Sequence, residues 1–123
     1  MKVTVGSLES IEAYSGPHAI DGIRFRPAAA ALGVRSWGMN VLEIDAGCES
    51  YPEHDHAEDG QEELYVVLRG SATLVATEDG ARHELTEGSF ARVEPDVRRT
   101  IVPGPEGVTL LAIGGTPGEA YPS

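Results

Sequence analysis

The chain has 123 residues, a length that fits one compact domain with a single core. Its formal net charge of −11 sets the surface against phosphate backbones and anionic lipid headgroups, so neither nucleic acid nor a membrane is an expected partner. A single cysteine, Cys48, excludes an intrachain disulfide and a multi-cysteine zinc site, and MKVTVGSLES lacks the apolar stretch of a secretory signal, so the expected location is cytoplasmic.

Residues 1–35 read as an arm of irregular structure. Within it KVTV suits a strand, and PAAAALG collects helix formers in a run too short to stand as an isolated helix. From Ser36 onward the segments SWGMNVLEI, ELYVVLR, SATLVAT, ARHEL, SFARVE, RRTIV and VTLLAIG follow at short spacing, each bounded by glycine, proline or an acidic turn. Seven candidate strands without intervening helical patterns predict an all-β fold, a sandwich or a closed barrel, with its core over residues 36–115. Asp79-Gly80 in TEDGA predicts an antiparallel hairpin. The tail, residues 116–123, holds too much glycine and proline for regular structure, and no phosphate-cradling glycine loop occurs anywhere.

The stretch HDHAEDGQEELYVVLRG carries the chemistry. On an extended segment His54 and His56 project to the same side, and a carboxylate from the next strand, Glu62 or Glu63, completes a set of two nitrogens and one oxygen. Such a set suits Fe, Mn, Ni or Zn as a divalent ion. No basic residue lies between Arg35 and Arg69, whereas Glu49, Glu53, Asp55, Glu58, Asp59, Glu62 and Glu63 crowd around the histidines and should attract a cation. The plainer alternative is a solvated acidic loop running into a strand. Both faces of that strand are apolar, Leu64, Val66 and Leu68 on one side and Tyr65 and Val67 on the other, so periodicity leaves the inward glutamate open. Trp37, Met39, Tyr65 and Phe90 lie in strand-like runs and are expected in the core or lining a pocket, with Tyr65 the best placed to hydrogen-bond a ligand. Cys48 is expected to be an inert small hydrophobe and Arg98 to be exposed.

Gly47, His54-Asp55-His56, Glu63 and Gly70 together resemble the first conserved motif of the cupin superfamily: glycine, spacer, His-x-His, spacer, glutamate, six residues, glycine. LYVVLR supplies the final spacer, which favours Glu63 as the inward acid. Six residues separate Gly47 from His54 and six separate His56 from Glu63, both longer than the usual pattern, the second through an enlarged AEDGQE loop. Gly88-SFARVEPDVRRTIV resembles the second motif, with Glu94-Pro95 at the proline pair and Asp96 at the turn glycine. Arg99 stands where the fourth ligand, a histidine, is usual, and Pro103 where an asparagine is usual. The resemblance implies a small single-domain, cupin 2-like chain: a double-stranded β-helix, or jelly-roll barrel, with the motif residues in its mouth, commonly as a homodimer.

Arg99 divides the functional expectations, because a guanidinium stays protonated, offers only donors and cannot ligate a cation. In the first, His54, His56 and Glu63 hold the ion and Arg99 pairs with a small carboxylate or enolisable substrate, giving a metal-dependent dioxygenase or isomerase. In the second, Arg99 pairs with Glu63 in a metal-free, small-molecule-binding module. In the third, His18 from the arm or His83 completes the site.

Overall fold

A computed structural model describes residues 2–122. After a short 3-10 turn at Leu8–Ser10, the elements are β1 (Ile23–Arg26), α1 (Ala28–Leu32), β2 (Gly38–Ile44), β3 (Glu62–Ala76), β4 (Ala81–Leu85), β5 (Phe90–Val93) and β6 (Arg99–Gly115). All strand pairs are antiparallel, in the order β1-β2-β6-β3-β4, with β5 also on β3. This is an all-β fold, and the sheet curls so that residues from β2 to β6 share one core. No helix of the described residues is long and apolar enough to cross a membrane.

Two long strands dominate, where the sequence breaks into four shorter runs. The reason is a shift in alternation within each. On β3, Tyr65 and Val67 face inward before the irregularity and Ala72 and Leu74 after it, an odd-to-even change. β6 makes the matching change between Ile101 and Val108. Gly70 and Gly107 stand at these positions with φ of 77° each, and a Cβ on Gly70 would collide with the Gly107 carbonyl oxygen. The backbone therefore bends in both partners at one place and keeps the apolar side inward along both arms of the bend. The Asp79-Gly80 reversal joins β3 to β4, with Ala76 opposite Ala81 as the hairpin signal predicts.

The arm contains more structure than the sequence suggests. Ile23–Arg26 is a strand paired to β2, and the PAAAAL run is one short helix stopped by Gly33 in the left-handed conformation. KVTV is not a strand: its residues are exposed and join no ladder of the sheet. Ile11 and Ala28 pack with Val41 on the outer face of the sheet, forming a second, smaller apolar cluster. Phe90 corrects the expectation of a core or pocket position, being 70% exposed on β5; Trp37, just before β2, is 44% exposed and lines shallow surface pockets rather than the core. Met39 is partly buried against the smaller cluster, and Tyr65 is fully buried.

Candidate metal centre

The histidine segment is held by the chain that follows β5, and this is what brings Arg99 to it. His54 and Arg99 form a two-way backbone bridge, each N–H donating to the other's carbonyl at 3.0 Å. The His56 N–H donates to the Pro95 carbonyl at 2.8 Å, and the Thr100 hydroxyl donates to the Tyr51 carbonyl at 3.1 Å. Arg98, partly exposed, reaches back to Glu53 at 2.6 Å. Glu63, near the start of β3, lies opposite Gly114 of β6 and Val93 of β5, and shares the inward face with Tyr65 and Val67. Glu62 is on the other face, paired with Arg92. The inward carboxylate is therefore Glu63, as its spacing to Gly70 indicates.

Nε2 of His54 lies 3.5 Å, and Nε2 of His56 3.4 Å, from Oε1 of Glu63. Ligand atoms of the three residues all fall within 4.8 Å of one another. The opposite ring nitrogens are both engaged. His54 Nδ1 is 2.9 Å from the Pro52 carbonyl, which can only accept, so Nδ1 carries the proton. His56 Nδ1 is 3.1 Å from the Asp59 carboxylate, which also accepts. With Nδ1 spent in both rings, each Nε2 turns to Oε1 of Glu63: it donates to the carboxylate when the ring is protonated and offers a lone pair to a cation when the ring is neutral.

Oε1 of Glu63 is also the acceptor for the Tyr65 hydroxyl, at 2.8 Å, and for Nη2 of Arg99. Arg99 has no exposed surface; its Nη1 donates to the Val97 carbonyl at 3.0 Å and its Nε reaches the Tyr65 hydroxyl at 3.5 Å. All three guanidinium nitrogens are thus spent inside the protein. Among the described residues no hydrogen bond involves Oε2 of Glu63, and since no fully buried side-chain polar atom lacks a partner, Oε2 is not fully buried. Burial would raise the Glu63 carboxyl, but the bonds from His54 and Tyr65 and the Arg99 charge outweigh it and hold the group at about 2. The bond to Glu63 raises His54 against the opposing effect of burial. Burial, then the neighbouring Tyr51 and Glu63, push Tyr65 upward, so it remains a phenol and a donor.

These side chains lie at the end of a cavity of about 560 Å³. His54, His56, Glu63 and Tyr51 line it, whereas Arg99 and Tyr65 lie behind Glu63 and do not. Its apolar wall includes Ile23 and Phe25 of β1 and Leu42 of β2, and the arm adds Tyr14 and His18. His18 therefore borders the same space but stands outside the three-residue ligand group, and His83 is exposed on β4. Most of the acids around the histidines serve local pairs: Glu53 and Asp55 with Arg98, Glu62 with Arg92, Asp59 with His56. Cys48 packs against the core, its thiol 3.7 Å from the Asp21 carbonyl.

Asn40 was not legible as a site residue. It shares the inward face of β2 with Leu42 and Ile44, borders the cavity, and has no side-chain hydrogen bond to another described residue. The available signal was an asparagine, disfavoured in strands, at an inward position of an otherwise apolar alternation.

Family models and curated protein sequences give no match to the chain. Solved structures do. A sugar phosphate isomerase from a cupin superfamily, from Silicibacter pomeroyi DSS-3, is 25% identical with a TM-score of 0.71, over 88% of this chain and 73% of that one. An RmlC-like cupin from Shewanella frigidimarina NCIMB 400 is 21% identical with a TM-score of 0.69, over 93% and 91%. The Cupin_2 domain of an XRE family transcriptional regulator from Enterobacter cloacae is 16% identical with a TM-score of 0.63, over 84% and 100%. The curled antiparallel sheet and these likenesses define the class: the chain has the jelly-roll fold of the cupin superfamily.

Proposed function

We propose that the barrel cavity is a metal-dependent small-molecule site in which His54, His56 and Glu63 hold one divalent ion, Fe, Mn, Ni or Zn. The observation that supports this most directly is the orientation of the imidazoles: both Nδ1–H groups are spent on protein acceptors, so both Nε2 atoms point to one carboxylate. The donor set fits such an ion, and Glu63 retains a second oxygen beside the one that Arg99 and Tyr65 occupy. When bound, the ion would supply Lewis acidity to a substrate oxygen. The reaction class we assign is oxygenation or isomerisation of a small enolisable molecule, and the isomerase described for the Silicibacter relative is in keeping with it.

Arg99 and Tyr65 act in this reading as positioning residues. Neither borders the cavity, and both fix Glu63 in its charged form. The homodimer implied by the resemblance belongs to the same proposal, with light scattering at twice the chain mass as its check.

One observation favours a second reading. The Arg99–Glu63 ion pair already balances the carboxylate charge, as a metal-free binding module would need. Elemental analysis of purified protein, before and after incubation with Fe(II), Mn(II), Ni(II) or Zn(II), separates the two. Near-stoichiometric metal that disappears in His56→Ala is the expected result; wild-type protein that takes up no ion in any of these incubations establishes the binding module instead.

A further inference from the structure

The wall of the cavity carries no lysine or arginine among the described residues. This follows from strand alternation. Ile23 and Phe25 of β1 face the cavity, whereas the intervening Arg24 and Arg26 point to the other side, where both meet Glu43. Arg99 is the nearest guanidinium, but it is fully buried behind Glu63 with its donors committed to Val97, Tyr65 and Glu63. A phosphate group relies on several strong donors, usually arginine or lysine. Away from the proposed ion, the lining offers a phosphate dianion only His18 and the tyrosine hydroxyls beside the apolar Ile20, Phe25 and Leu42, with no guanidinium or ammonium counter-charge among the described residues.

The same wall suits a different ligand. Its volume of about 560 Å³ is that of an ordinary small-molecule site, apolar along β1 and β2 and polar at one end. Within the same lining, Asn40 adds a carboxamide that makes no side-chain hydrogen bond to another described residue, one strand over from Ala112 and two from Tyr65. A carboxamide can donate to one ligand oxygen and accept from a hydroxyl, which makes it the group able to select orientation.

We propose that the ligand is an uncharged or singly anionic molecule with an apolar, ring-sized body and one oxygen-bearing end, and that Asn40 hydrogen-bonds that end and sets specificity. The body rests on Ile23, Phe25 and Leu42, and the oxygens face His54, His56 and Glu63. A sugar phosphate is thereby excluded as substrate, although a relative of the same fold is described as a sugar phosphate isomerase. This deepens the proposed small-molecule site and rests on the cavity being that site; it does not require the ion.

Isothermal titration of phenylpyruvate, ribose 5-phosphate and inorganic phosphate into full-length protein, both metal-free and incubated with Ni(II), tests it, with metal content measured on the same samples. Phenylpyruvate should bind at least one form, and Asn40→Ala should weaken it by about tenfold, the loss of one hydrogen bond. Phe25→Leu, which keeps the cavity wall apolar, should weaken it less, and both phosphates should give no heat. Phenylpyruvate binding to metal-free protein supports the inference even if no nickel is retained, while the metal content by itself judges the ion. Tighter binding of ribose 5-phosphate than of phenylpyruvate, phenylpyruvate binding to neither form, or an affinity unchanged in Asn40→Ala would overturn it.

Discussion

Glu63 accepts from or lies beside four different side chains, and each can be separated by substitution. Asp59 touches neither Nε2 atom nor the Glu63 carboxylate; it orients His56 through Nδ1. Asp59→Ala should therefore lower metal affinity about 10–100-fold without abolishing it, measurable by competition with a chelating dye. Arg99→Met removes the one guanidinium bonded to Glu63 among the described residues and leaves a largely enclosed carboxylate short of its counter-charge. The expected cost in metal-free protein is about 3–5 kcal/mol in urea unfolding, much of it regained in the double variant Arg99→Met with Glu63→Gln. A single variant as stable as wild type would mean that the ion pair contributes nothing. His54, His56 and Glu63 were visible in the sequence because their spacing is local. Periodicity leaves the choice between Glu62 and Glu63 open, since both faces of β3 are apolar; the spacing to Gly70 favours Glu63, and the pairing with β5 and β6 places it inward.

At the level of elements, the bend in β3 and β6 is the feature on which the cavity depends. Gly70→Ala would force a Cβ against the Gly107 carbonyl in a left-handed backbone, so a loss of at least about 1–3 kcal/mol is expected, read from the urea midpoint. The attachment of β1 has its own signature. Glu43 is held below the usual carboxylate range: burial acts to raise it, but the bond and charge of Arg26, with Arg24 beside it, prevail. Its folded value is the depressed one, so its contribution is present above the unfolded glutamate range, near about 4.3, and is lost as pH falls through the lower folded value. Hydrogen exchange over Ile23–Arg26 should accordingly quicken, relative to β6, on acidification below that range. Glu43→Gln should flatten this dependence, and an unchanged profile would show that the pair does not hold the strand. The strand itself went unread because IRFR is short and follows an irregular arm; its partner, not its own pattern, makes it a strand.

For the whole molecule, the net charge of −11 carries a prediction that holds despite the likeness to a regulator's cupin domain. Fluorescence anisotropy with a duplex oligonucleotide at physiological salt should show no binding, because no phosphate contact offsets the repulsion. Saturable binding there would mean that local basic groups override the overall charge. The basic side chains at the site argue against such a patch, since Arg92, Arg98 and Arg99 are all paired with acids.

The sequence by itself determined the all-β class, the hairpin at Asp79-Gly80 and the identity of the two imidazoles and their acid, because each is written in residues close together along the chain. Tertiary structure decided what lies beyond that reach. It set Arg99 behind Glu63 rather than in the cavity, brought the arm in as a wall, turned Arg24 and Arg26 away, and faced Asn40 inward. The physical reason is that strand pairing fixes which face a side chain occupies, and a phase shift at a bend changes that face without changing the local sequence pattern.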